Sequence, residues 1–196
     1  MFPRQSVIAH GRCEIRRILL LDNDELLTVG NDSFVRVWDP ATLTLKREAR
    51  MPSQYLVAAT ALTEGIGVGF TRGSLALLNS ELKIQWEVPL HTDLLTDVIE
   101  VSGTIASCSL DGSVVFIDAQ SRNVLHRLQF DQPLWQLASL SEFVYAAGQP
   151  AVRINTLTYE VKELPSYTMF QEHQQKMFGC SIESVRCLAN NEPAYL

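Results

Sequence analysis

The sequence predicts an all-β chain made of copies of one small antiparallel sheet, and three observations lead there. A tight turn recurs at Asn31-Asp32-Ser33, Thr71-Arg72-Gly73-Ser74, Leu110-Asp111-Gly112-Ser113 and Gln149-Pro150-Ala151. The steps from Asp32 to Arg72, Arg72 to Asp111 and Asp111 to Pro150 are 40, 39 and 39 residues. Each turn joins two β-prone runs, and two further runs complete each unit. Four strands in roughly 40 residues form a sheet that buries both faces only by stacking on sheets like itself.

The runs before the turn are LLTVG (26–30), IGVGF (66–70), TIASCS (104–109) and FVYAAG (143–148). Gly67, Gly69, Ala106, Ser107, Ala146 and Ala147 make them rich in small residues, which suits strands near a crowded central axis. The runs after it are FVRVW (34–38), SLALL (74–78), SVVFI (113–117) and AVRIN (151–155), richer in Val, Ile and Leu, as fully covered strands are. A more polar run follows at 43–47, 82–86, 124–128 and 159–164. There, Leu82, Ile84 and Trp86 alternate with Lys83 and Gln85, which marks an outer strand with one wetted face. Runs 14–21, 55–62, 94–101 and 133–140 open the units. The units thus span about 10–47, 55–86, 94–128 and 133–164.

The period then slips. The next inner strand is due near residue 173, but the candidate run SIESVRCLA covers 181–189. The insertion 165–180 has the marks of a short helix. Thr168 is placed as N-cap with Gln171 completing a capping box, Gly179 is placed as a stop, and Met169, Phe170, His173, Met177 and Phe178 form an apolar stripe. Residues 181–196 read as a further unit cut off near its second strand.

Composition sets the outer limits. The chain is 196 residues long, 46% hydrophobic and 19% charged, which fits a globular core. A formal net charge of −6 argues against a sequence-independent nucleic-acid binder, and Arg12, Arg16 and Arg17 beside Glu14 form only a modest basic cluster. Cys13, Cys108, Cys180 and Cys187 show neither C-x-x-C spacing nor a histidine at a zinc-ligand offset. They read as reduced thiols of a cytoplasmic or nuclear protein. The start, MFPRQSVIAH, has no long apolar stretch, and no run approaches the roughly 18 apolar residues of a membrane helix.

Unit one carries a more specific pattern. His10-Gly11 precedes its first strand, Thr28 lies in the second, Asp32 is at the turn and Trp38-Asp39 ends the third. The offsets are 22 from His10 to Asp32, 4 from Thr28 to Asp32 and 6 from Asp32 to Trp38. A turn carboxylate buried there needs compensation. An imidazole donor passing the hydrogen bond on to a hydroxyl and an indole provides it. This arrangement resembles the core of a WD repeat, with His10-Gly11 reversing the usual Gly-His order. Unit three keeps Ser107 and Asp111 at the same four-residue offset and Asp118 at the last position, with Ile117 in place of Trp and His91 set 20 before Asp111. Unit two has Arg72 and Asn79 at the two aspartate positions, and unit four has no candidate network.

The resemblance, covering about residues 10–164, implies a WD-repeat β-propeller of four four-stranded blades plus an incomplete fifth. The arc would be open, part of a seven-bladed ring. A truncated chain is favoured over a short isoform or a half-propeller completed by another chain. It implies a structural hydrogen-bond network of His10, Thr28, Asp32, Trp38, Ser107 and Asp111. The residue before each turn aspartate faces the partner rim, which gives Asn31, Thr71, Leu110 and Gln149, with Glu14, Arg16 and Asp93 as weaker candidates. The expected function is a non-catalytic scaffold or adaptor that binds proteins or peptides on this rim, without a cofactor or metal. A ubiquitin-ligase-type substrate receptor is one alternative. The other is an enzyme with a central-channel metal or quinone, disfavoured because the histidines are dispersed at 10, 91, 126 and 173. His10, Asp32 and Thr28 also resemble parts of a hydrolase triad, but in this reading they face a structural network and not a cleft.

Overall fold

Short β-prone runs punctuated by Asp, Asn, Gly and Ser form short strands joined by tight turns. The structure, a computed structural model, describes residues 9–11, 13–52 and 55–164, and the backbone of 178–181 and 184–187. The first sheet comprises β1 (Ile15–Leu20), β2 (Leu26–Gly30), β3 (Phe34–Trp38) and β4 (Leu45–Arg50). The second comprises β5 (Leu56–Leu62), β6 (Gly65–Phe70), β7 (Ser74–Leu78) and β8 (Ile84–Pro89). The third holds β9 (Leu95–Val101), β10 (Thr104–Ser109), β11 (Ser113–Asp118) and β12 (Val124–Gln129). The fourth holds β13 (Gln136–Leu140), β14 (Phe143–Ala147), β15 (Val152–Asn155) and β16 (Val161–Glu163). In all four the strands lie side by side in chain order. No helix occurs among the described residues.

One expectation is corrected here. The outer strands of units one, two and four start about two residues later than the sequence reading placed them, at Leu45, Ile84 and Val161. The turn out of the third strand takes up those residues, and it holds Leu43, Leu82 and Tyr159 at positive φ, which no strand accommodates. The small-residue runs form β2, β6, β10 and β14. They are second of four, with β1, β5, β9 and β13 outside them. Their small side chains make room for the next sheet: a Cβ on Gly69 would lie 2.4 Å from Cδ2 of Leu95 in β9.

The chain divides into two compact units, Met1–Val98 and Ile99–Leu196, with the boundary inside β9. In the first unit, one face of the first sheet packs on the second sheet. Leu27, Val29, Val35 and Val37 meet Leu56, Ala59, Ile66, Val68, Phe70, Ala76 and Leu78. Register explains the choice of face, because Leu19, Leu27 and Val37 pair across β1, β2 and β3 and so point the same way. Arg17 of β1 reaches Asp97 of β9 at 3.0 Å. In the second unit the same design recurs. Ala106, Cys108, Val114 and Phe116 pack on Leu134, Leu137, Val144, Ala146, Val152 and Ile154.

After the fourth sheet, β17 (Phe178–Ser181) and β18 (Ser184–Cys187) pair as an antiparallel hairpin, and β18 lies beside β13. The expected single run 181–189 is thus interrupted after Ser181, and Phe178 and Gly179 lie on a strand. The rest of the expected helix, from Thr168, lies outside the described residues.

Candidate functional site

The site in unit one is built from two strands, one turn and the segment ahead of β1. Pairing places Ile18, Thr28, Arg36 and Glu48 in one row across the first sheet, and Leu20, Leu26, Trp38 and Leu45 in the next row but one, on the same face. Thr28 and Trp38 therefore share the face that points away from the second sheet. His10 covers them there, and His10, Thr28 and Trp38 are only 3%, 3% and 5% exposed. His10 Nδ1 lies 2.8 Å from Asp32 Oδ1, His10 Nε2 lies 2.8 Å from Thr28 Oγ1, and Trp38 Nε1 donates to Thr28 Oγ1 at 2.9 Å. Arg36 Nη1 also lies 2.7 Å from His10 Nδ1, so the roles of the two ring nitrogens depend on the tautomer. Indole, hydroxyl, imidazole and carboxylate thus form one continuous chain of hydrogen-bonded groups.

Asp32 has further partners. It accepts the backbone N–H of Phe34 at 3.1 Å and a hydrogen bond from Arg36 Nη1 at 2.6 Å. Burial pushes its carboxyl up, but the bonds from Arg36 and His10 outweigh this and hold it below the usual carboxylate range. Gly30 is the residue that this packing requires. A Cβ there would lie 2.7 Å from His10 Nδ1 and 2.8 Å from the Glu14 carbonyl oxygen.

Sequence reasoning missed two charged residues in this unit. Arg36 also bonds Glu48 at 2.9 Å and lies 4.4 Å over the Phe34 ring. Its signal was an arginine four residues past Asp32 on an otherwise covered strand. Glu25 is buried in the turn before β2. It accepts bonds from both terminal nitrogens of Arg47 at 3.0 and 2.5 Å, from Lys46 at 3.0 Å and from Asn23 at 2.8 Å. The Arg47 bonds, opposed by burial and helped by Lys46 and Asn23, lower its pKa to about 2. Asn23 is its only local member; Lys46 and Arg47 lie in β4 and reach Glu25 only through strand pairing.

In unit three, Ser107 is fully buried and its hydroxyl lies 3.5 Å from the Val115 carbonyl. Asp111 Oδ1 accepts the Ser113 N–H at 2.9 Å and its hydroxyl at 2.6 Å. Asp32 and Asp111 thus play the same local role, each receiving the backbone N–H two residues on. Ile117, at the Trp position, is fully buried.

The four rim candidates occupy one topological corner, the turn from the second to the third strand. Asn31 is half-buried, accepting from Arg16 Nε at 2.9 Å and donating to Glu14 at 3.1 Å. Thr71 is half-buried, its N–H bonded to the Tyr55 carbonyl at 3.1 Å. Leu110 is half-buried, and Gln149 is exposed. Asp93 is exposed and receives the Leu94 N–H at 2.7 Å.

A second repeated feature lies at the turn out of the third strand. Asp39 accepts the N–H groups of Ala41 and Thr42, and Asn79 those of Glu81 and Lys83. Asp118 accepts that of Ser121, and Asn155 those of Leu157 and Thr158. Backbone N–H bonds from Thr42 and Ser121 come first among the causes that hold Asp39 and Asp118 below the usual range. Units two and four keep this turn although they lack the His-Thr-Asp-Trp set, and Asn155 was not singled out from the sequence. Among the described residues, no group of three His, Cys, Asp or Glu side chains is placed to hold a metal ion.

No protein-family model and no curated protein sequence matches the chain. Solved structures do. A structure of U3-55K superposes with a TM-score of 0.72 at 12% identity, covering 81% of this chain and 54% of that one. The RRP9 WD40 repeats give 0.72 at 13% identity, covering 81% and 53%. Sqt1 of Saccharomyces cerevisiae gives 0.70 at 15% identity, covering 76% and 48%. The chain spans about half the length of these structures. Its four-stranded sheets, chain-order strands and repeated turns, together with these likenesses, identify the fold as that of the WD-repeat β-propellers.

Proposed function

We propose that the chain is a non-catalytic interaction scaffold or adaptor within a multiprotein assembly, binding proteins or peptides on the rim that carries Asn31, Thr71, Leu110 and Gln149. One observation supports the reading: the same corner of each sheet holds an uncharged residue, half-buried at Asn31, Thr71 and Leu110 and exposed at Gln149, while the His10, Thr28 and Asp32 side chains are committed to bonds with one another and with the turn. A rigid sheet that offers varied side chains at fixed corners suits recognition of another protein's surface. Uncharged corners and a net charge of −6 do not suit phosphate-backbone binding. The same reading places the chain in the cytoplasm or nucleus. Cys13 is exposed, Cys108 is buried, and neither is in a disulfide.

Affinity purification with mass spectrometry tests this, comparing wild type with a variant carrying Asn31→Ala, Thr71→Ala, Leu110→Ala and Gln149→Ala. Circular dichroism first establishes that both fold alike. The expected result is a reproducible set of captured proteins that the rim variant loses and an exposed control variant, Glu81→Gln, retains. Equal capture by rim variant and wild type rejects the rim as the binding face.

A further inference from the structure

We draw no further inference here: the strongest candidate, the apolar strip on the free face of the first sheet formed by Ile18 and Leu20 of β1 (59% and 65% exposed) with Leu45 of β4, is an unpartnered face, and nothing in the structure shows what covers it.

Discussion

Asp32 concentrates more compensation than any neighbour in its turn: an imidazole, a guanidinium and a backbone N–H converge on one carboxylate. Asp32→Ala removes an acceptor from His10 and Arg36 at once. The expected cost is about 1–3 kcal/mol. It should appear as a lower melting temperature, together with a change in the emission of buried Trp38, whose indole reaches the same network through Thr28. Glu81→Gln, at an exposed ion pair with Lys83, should leave the melting temperature unchanged. Glu25 gives a pH-dependent counterpart. Its carboxyl sits at about 2 in the folded chain against an ordinary value of 4.5. A lowered folded-state pKa stabilises above the unfolded value, so this contribution is complete above pH 4.5 and fades as pH falls toward 2. Glu25→Gln should therefore lower the urea midpoint at pH 7, with the gap to wild type closing over that acid range.

At the scale of strands and turns, the fold rests on a few backbone conformations that local chemistry favours. Gly112 adopts φ +81, and a Cβ there would meet the Phe130 carbonyl oxygen at 2.4 Å. Gly112→Ala should cost more than about 1 kcal/mol, since it combines a left-handed backbone with a clash against main chain that cannot swing away. Denaturant titration of the variant checks this. The turn out of the third strand has a second task. Leu82, held at positive φ by the Asn79 turn, is buried in the core between the first and second sheets. Tyr159, at the corresponding place in unit four, stacks on His126 at 4.2 Å and packs against Phe116 at 5.2 Å, both residues of the preceding sheet. Leu82→Ala is expected to cost about 2–5 kcal/mol. The equivalent change at half-buried Leu43 should cost distinctly less when the two urea midpoints are compared.

At the scale of each compact unit, stacked sheets make stability a matter of neighbouring pairs, each supplying half of a shared core. The proposed role as a protein-binding scaffold adds an expectation at this scale: the purified chain should not shift single-stranded RNA in a mobility assay near physiological salt. A shift that weakens steeply with added salt would instead point to phosphate contacts. The period, the four strands per unit and the turn positions were legible in the sequence because they depend on local preferences: β-prone runs, and Asp, Asn, Gly or Ser where the chain must reverse. His10, Thr28, Asp32 and Trp38 could be read as a set because their spacing follows the lengths of the strands and turn that carry them. Glu25 could not, since its partners Lys46 and Arg47 lie two strands away in β4 and meet it only through register, and of the partners of Arg36 only Asp32 is local. The tertiary structure alone decided which sheet face is covered, that the small-residue strands lie inside the sheets, and that Leu82 and Tyr159 serve the preceding sheet. Those outcomes depend on how one sheet stacks on another, a relation between distant segments that no local run of residues encodes.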